Sequence, residues 1–282
     1  MVTYKKISVF ALFLILLSFL GCSTVSYEQL IPENYSPSYQ SEFRANIIIA
    51  GGPKECMYGY PHEVTPTMFK KALMQSDRQI ISEQDENQQY TIIVKNINCC
   101  QKDKFFTGKS YWALRNNSSQ HIVWQKLIEE TGSPGIHWYN PPKRIMTALT
   151  NCYKQTIVTG LTTLSKVDLV LAEEKIKNLS ELWHNHRSAD SFFDLYQYLL
   201  FSSSKKIERI RDGYRYEMQG NLLITFTRQY VNDLIGEADN ILSGSGDNQT
   251  LEWVIQKDGK ETVYRLSFYQ NQLSGGSIKQ QA

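Results

Sequence analysis

The sequence predicts an α+β protein of two small domains joined by a helical connector. Short apolar runs that end at glycines or polar turns predict strands, whereas apolar residues three or four positions apart over longer stretches predict helices. In the N-terminal half the two kinds of segment follow one another as β-α-β-β-β-α. In the C-terminal half a helix comes first and alternating strands follow. The length of 282 residues suits two domains better than one small domain.

The chain divides into five predicted regions. They are a signal peptide (1–21), a flexible tether (22–45), an α/β domain (46–165), a helical connector (166–212) and a small helix-plus-β-sheet domain (213–282). The tether is rich in Ser, Tyr, Pro, Glu and Gln and has no sustained apolar period. A flexible segment of this length would hold the first domain about 25 to 30 Å from its anchor. The alternative is that part of the segment packs on the domain as an extended strand.

The first residues form a basic and then apolar leader. Lys5 and Lys6 precede an apolar run over 7–20, which is shorter than the ~20 residues that a membrane-spanning helix needs. The leader ends in Phe19–Cys22, a pattern that resembles the export signal of bacterial lipoproteins. The resemblance implies cleavage before Cys22 and a lipid on that cysteine.

The residue after the cysteine carries a further implication of this resemblance. In the lipoprotein sorting rule, Ser23 in place of an aspartate implies an anchor in the outer membrane of a Gram-negative cell, with the protein facing the periplasm. The membrane is then an expected partner, bound through lipidated Cys22. An uncleaved signal anchor or an ordinary secretory signal is the alternative interpretation.

The charge of the mature chain argues against a nucleic-acid partner. Cleavage removes Lys5 and Lys6, so the 30 basic and 28 acidic residues of the whole chain become 28 and 28. Binding to phosphates needs an excess of Lys and Arg on one surface. We therefore expect no nucleic acid among the partners.

The first domain is predicted to contain four strands and two helices. The strands are 46–50, 89–97, 109–115 and 120–130, and the helices begin near Thr67 and Pro142. The arrangement is similar to the small α/β domains of many periplasmic lipoproteins and secretion accessories. That resemblance concerns architecture alone and implies no functional residue.

Besides the lipidated Cys22, four cysteines remain after the predicted cleavage and are the disulfide candidates: Cys56, Cys99, Cys100 and Cys152. An oxidising periplasm favours two disulfides, for which three pairings are possible. If strands 46–50 and 89–97 run parallel, their carboxyl ends meet at one edge of the sheet, close to Cys56 and the adjacent pair. We therefore favour one bond from Cys56 to one member of the pair and one from Cys152 to the other. The alternative, a reactive thiol or a metal site, lacks a Cys-x-x-Cys spacing.

The histidines do not predict a metal centre. The motif Trp183–His186 places two of them two positions apart on a helix, where they point in different directions, so a solvated helix end is the expected role. We expect no metal, no cofactor and no catalytic residue. The alternative is an envelope hydrolase or a peptidoglycan-active enzyme, for which the densest polar set is His121, Glu129, Glu130 and His137.

The last regions are predicted from caps and turns. The connector carries two amphipathic helical stretches, the second of which begins after a cap at Ser188 or Asp190. Thr227 can cap a later helix that Gly236 ends. Two alternating strands then flank the turn 257–260, and a last turn leads into a short final strand.

The segment Ile224–Leu273 is similar to the small lipoprotein subunit of the outer-membrane barrel-assembly machinery and its relatives. The likeness lies in the helix that ends at Gly236, the strand around Trp253 and the turn Gln270–Leu273. The resemblance implies a domain that binds protein partners or lipid and has no catalytic site. Together with the leader and the 17 tyrosines, it predicts a non-enzymatic, lipid-anchored envelope protein that binds envelope proteins in assembly or secretion.

Overall fold

The structure is a computed structural model. It describes residues 25–51, 54–56, 64–81, 88–102, 105–134, 141–200, 204–210, 213–219, 226–244, 246–257 and 259–281. The predicted signal peptide (1–21), Cys22, His62 and His137 lie outside the described residues. In the described ranges, no helix is both long and apolar enough to cross a membrane.

The N-terminal half folds around a mixed sheet, which we call the first sheet. Its strands are β1 (Ala45–Ala50), β2 (Lys54–Cys56), β3 (Tyr90–Lys102), β4 (Phe105–Asn116) and β5 (Ile122–Gly132). They lie in the order β1-β3-β4-β5, and β2 also pairs with β3. β1 and β2 run parallel to β3, whereas β3, β4 and β5 are antiparallel. The predicted strands and the parallel pair are confirmed, and β2 is an additional strand.

Helices α1 (Pro66–Ser76) and α2 (Pro141–Leu164) cover one side of the first sheet, the helix face. Side chains alternate along a strand, and the even-numbered residues of β4 point toward these helices. Trp112 is 1% exposed, and its ring centroid lies 6.5 Å from that of Phe69 in α1. A β-carbon at Gly160 of α2 would lie 2.6 Å from Trp112 Cζ2. Because position 160 has no side chain, the helix can pack directly against the indole.

The segment 25–44 packs on the helix side of the first domain, and this corrects the predicted flexible tether over 22–45. A 3-10 helix (Tyr27–Leu30) contacts both α1 and α2. Val25 is 6% exposed and Leu30 is fully buried, so both belong to the core. Burial of apolar area stabilises the packed segment by about 25 cal/mol per Å². This gain outweighs the conformational entropy that the segment loses.

Hydrogen bonds hold the rest of the segment. The Tyr39 hydroxyl donates to Asp77 Oδ2 over 2.5 Å. The backbone N–H of Gln40 donates to the Ser165 carbonyl over 2.7 Å. The alternative interpretation, in which part of the segment packs on the domain, is thus the better description, although it forms a 3-10 helix and bends rather than a strand.

The connector consists of helices α3 (Leu169–Asn185) and α4 (Ala189–Leu199). Ser188 caps α4, because its side chain accepts a hydrogen bond from the Ser191 N–H. The predicted connector over 166–212 is too long, because β6 (Ser204–Ile210) falls within it and pairs with β7 (Gly213–Gln219). The three-residue spacing of isoleucines in β6 fits a helix, and strand pairing overrides that local preference.

The C-terminal half forms a second, antiparallel sheet. Its further strands are β8 (Asn240–Ser243), β9 (Gln249–Lys257), β10 (Lys260–Tyr269) and β11 (Gln272–Gln281), and the strand order is β6-β7-β11-β10-β9-β8. Helix α5 (Arg228–Ile235) begins where the Thr227 side chain accepts from the Tyr230 N–H, and it ends at Gly236 with a φ of 88°. The predicted caps of α5 and the strands β9 and β10 are confirmed; β6, β7 and β8 were not predicted.

The connector helices pack on the second sheet through aromatic side chains. Phe192 of α4 lies 4.8 Å from Trp183 of α3, 5.5 Å from Trp253 of β9 and 4.3 Å from Tyr264 of β10, measured between ring centroids. The Trp183 indole N–H also donates to the Ile235 carbonyl at the end of α5 over 2.6 Å. Both connector helices are therefore part of the C-terminal core as well as a link between the sheets.

Candidate functional site

The side of the first sheet opposite the helix face carries exposed and half-buried side chains along part of its length. It consists of Lys95, Asn98, Cys100, Phe105, Thr107, Lys109, Tyr111, Leu127, Glu129 and Thr131. We call this surface the open face. One row across three strands contains Lys95, Tyr111 and Leu127, and the next contains Asn98, Lys109 and Glu129.

The open face combines aromatic groups with paired charges. Phe105 is 46% exposed, and Tyr111 is half-buried. Lys109 Nζ and Glu129 Oε1 are 2.5 Å apart, with 57% and 48% of the two side chains exposed. The hydrogen bond that Lys109 donates to Glu129 raises the pKa of Lys109, and burial lowers the pKa of Lys95. Exposed aromatic rings beside paired polar groups are typical of surfaces that bind proteins.

A polar junction joins the first sheet to α3. The Nδ1 atom of His121 lies 2.9 Å from Glu173 Oε2, and the Asn116 amide donates to Glu173 Oε1 over 2.6 Å. Glu173 thus uses both carboxylate oxygens to bind the two ends of the β4–β5 turn. This arrangement fixes the turn on the helix, which is a structural role for His121.

Tyr198 extends this junction to helix α5. The Ile122 N–H at the start of β5 donates to the Tyr198 hydroxyl over 2.9 Å. The same hydroxyl lies 2.9 Å from the Tyr230 hydroxyl of α5. Burial raises the pKa of Tyr198 to about 12, and burial also raises the pKa of Tyr230. Both phenols are therefore neutral hydrogen-bonding groups at neutral pH.

The residues predicted to act in a hydrolase do not come together where the structure describes them. His121 precedes β5, and Glu129 follows eight positions later, a span of about 26 Å along an extended strand. Glu129 pairs with Lys109 on the open face, and alternation places Glu130 on the other side of the strand. His137 lies outside the described residues.

A groove of about 460 Å³ lies between the edge of β5 and helices α3 and α4. Trp124 of β5 and Leu179 of α3 contribute apolar surface to it, and the charged residues that line it are Lys175 and Asp194. A volume of this size is in the range of small-molecule sites. The groove adjoins the polar junction, because Ile122 and Tyr198 also line it, and its two charges are opposite in sign.

The cysteines lie near the partners that the sequence predicts. Cys99 and Cys152 are both fully buried, with their Sγ atoms 3.1 Å apart. A disulfide has a sulfur–sulfur distance of about 2.05 Å, so the structure holds this pair as thiols and the predicted disulfide of Cys152 is not formed in it. Cys100 is opposite Cys56 in the register of β3 and β2. The bond from Cys56 to one member of the adjacent pair stays a prediction.

The predicted histidine cluster is a solvated helix end. His184 and His186 are exposed at the end of α3. Within the described ranges, no group of three or more His, Cys, Asp or Glu residues could hold a metal ion.

Sequence reasoning missed the open face, although a signal for it exists. Phe105, Thr107, Lys109 and Tyr111 alternate with residues of the helix face along β4, and this period of two is typical of a half-buried strand. It also missed Glu173, because a helical period shows which side of α3 is polar but not which turn that side meets.

Comparison with known proteins assigns the chain to no family. No family model matches the chain, and no curated protein matches it. Among solved structures, the chain is similar to a protein of family DUF330 from Xanthomonas campestris, with 9% identity over 55% of this chain and 95% of that one and a TM-score of 0.33. It is also similar to the PelC dodecamer from Paraburkholderia phytofirmans, with 12% identity over 46% and 95% of the two chains and a TM-score of 0.29.

A third similar structure is a homolog of neuraminyllactose-binding hemagglutinin from Helicobacter pylori. It is 11% identical over 51% of this chain and 98% of that chain, with a TM-score of 0.31. At TM-scores of this size the likenesses assign the chain to no family and to no function.

Proposed function

We propose that this chain is a lipid-anchored envelope protein that binds a protein partner through the open face and carries out no chemistry itself. The observation that carries the proposal is the exposed Phe105 and the half-buried Tyr111 beside the Lys109–Glu129 ion pair. Aromatic side chains supply much of the affinity at protein interfaces, and charges at the rim favour one orientation of the partner.

The anchor and the location are parts of the same proposal. The leader that ends in Gly21-Cys22-Ser23 supports a lipid on Cys22 and a position on the periplasmic side of the outer membrane. A partner in envelope assembly or secretion would then lie within reach of that membrane.

Site-specific photo-crosslinking in intact envelopes tests the partner. A photoreactive amino acid replaces Thr107, which lies between Phe105 and Lys109 on the open face, in the full-length protein. The control position is Glu181 of α3, whose side chain is 56% exposed. We expect a crosslinked protein from position 107 and none from position 181. No adduct at 107, or the same adduct at both positions, would contradict the proposal.

Truncation of the aromatic side chains gives a quantitative test. We expect Phe105→Ala and Tyr111→Ala each to weaken binding of the captured partner about tenfold, which corresponds to about 1.4 kcal/mol. Val170→Ala is the matched control, because Val170 is 76% exposed and lies on α3. Cys22→Ala should lower the membrane-bound fraction and leave the affinity in detergent unchanged.

A further inference from the structure

The path of the chain after Cys22 limits how far the first domain can stand from a lipid anchor. Val25 is 6% exposed and belongs to the core. Only Ser23 and Thr24 separate it from Cys22. Consecutive α-carbons are 3.80 Å apart, so the α-carbon of Cys22 lies at most about 11 Å from that of Val25.

The chain enters the domain on the outer side of the helix layer. Tyr27 is half-buried there, and Lys71 Nζ of α1 lies 5.6 Å from the centroid of its ring. Arg78 is close enough to act electrostatically on Tyr27, and exposed Glu28 is close to Lys71. A tyrosine ring with cations and a carboxylate suits the headgroup region of a phospholipid bilayer.

The open face is on the far side of the same domain. The helix layer is about 10 Å thick and the first sheet lies beyond it. With the N-terminal segment on the outside, the open face stands about 20 Å from the surface through which the chain enters.

We propose that the first domain lies directly on a phospholipid bilayer with the helix side down and the open face directed away from the membrane. This inference rests on the proposed lipid at Cys22. The bilayer covers the surface around Tyr27 and Lys71, and the partner reaches the open face from the periplasm. The orientation follows from the length of chain available, since charge alone would be weak where Glu28 offsets Lys71.

Fluorescence quenching measures the orientation. A fluorescent amino acid replaces either Gln75, which is exposed on α1 one turn after Lys71, or Thr131, which is exposed on the open face. The full-length lipidated protein is placed in phospholipid vesicles that carry a nitroxide quencher on their headgroups. We expect strong quenching at position 75 and weak quenching at position 131. Equal quenching at the two positions would overturn the orientation.

A longer linker provides the matched control. An insertion of 20 Gly and Ser residues between Thr24 and Val25 has a reach of about 25 Å. We expect the difference between positions 75 and 131 to be lost in this variant, and a difference that persists would show that linker length does not set the orientation.

The failure of the anchor can be told apart from the failure of the orientation. The mass of the N-terminal peptide shows whether Cys22 carries lipid. A peptide without lipid, in a protein that does not float with the vesicles, overturns the proposed anchor and the orientation with it. Lipid present with equal quenching overturns the orientation alone.

Discussion

Cys99 of β3 and Cys152 of α2 meet in the core with their sulfur atoms 3.1 Å apart. Gly108 is opposite Cys99 in the register of β3 and β4. A β-carbon at position 108 would lie 2.7 Å from Cys152 Sγ and 3.1 Å from Cys99 Sγ. The missing side chain of Gly108 therefore provides the space in which the two thiols come into contact.

We expect the folded protein to form a Cys99–Cys152 disulfide when it is treated with oxidised glutathione. Exchange converts the two thiols into one disulfide and releases two molecules of reduced glutathione. The bond would join positions separated by 53 residues, and a loop of that size contributes about 4 kcal/mol to stability in the chain-entropy model. Urea unfolding before and after oxidation measures the gain. The same gain in Cys152→Ala would contradict this assignment.

A methyl group at Gly132 should disrupt the contact between β5 and α2. A β-carbon there would lie 1.9 Å from the Ala148 carbonyl oxygen, so backbone must move. We expect Gly132→Ala to lower the free energy of unfolding by about 1 to 3 kcal/mol. Gly275→Ala is the control, because nothing lies within 4 Å of its added β-carbon, and we expect a change within about 0.5 kcal/mol. Similar losses in both variants would disprove the steric explanation.

The Tyr198 hydroxyl should matter more than the Tyr230 hydroxyl. Tyr198→Phe removes the acceptor of the Ile122 N–H and the partner of Tyr230, and an unsatisfied buried group costs about 1 to 3 kcal/mol. Tyr230→Phe leaves the bond to Ile122 in place, so we expect a loss of only about 0.5 to 1.5 kcal/mol. Chemical denaturation of both variants gives the order, and a larger loss in Tyr230→Phe would contradict it.

Ionisation of Tyr198 should lower the stability of the protein at alkaline pH. Burial raises its pKa from 10.0 to about 12. The unfolded chain releases the phenolic proton first, so the stabilisation is complete below the unfolded pKa and is lost as the pH rises through the folded pKa. Urea unfolding over the window from pH 10.0 to about 12 measures the decline. Tyr198→Phe should decline less steeply, and parallel curves for the two proteins would exclude this residue as a cause.

Local chemistry was sufficient to predict several elements. The hydroxyl of Thr227 and the positive φ of Gly236 mark the two ends of α5, as their residue types indicate. The parallel pairing of β1 with β3 follows from two apolar runs separated by a helix. From that pairing came the expected proximity of Cys56 to the adjacent cysteine pair, and Cys56 is opposite Cys100 in the register of β2 and β3.

Other parts of the fold depend on tertiary contacts, which no local sequence pattern reveals. Val25 and Leu30 are isolated apolar residues in a polar segment, and the surfaces of α1 and α2 decide their burial. Strand β6 is a strand because β7 pairs with it. For the candidate site, the alternation from Phe105 to Tyr111 predicts two unlike sides of β4, but only tertiary packing decides which side the helices cover.

The packing of Val25 and Leu30 also determines when their segment can fold. These residues bury against α1 (Pro66–Ser76) and α2 (Pro141–Leu164), which come later in the chain. A chain that is exported from its N-terminus presents the stretch after Cys22 well before either helix has emerged. An enzyme that attaches lipid to Cys22 would therefore meet an extended substrate. Under the proposed anchor, folding would follow modification, and completion of the helix layer would bring the domain onto the membrane that already holds Cys22.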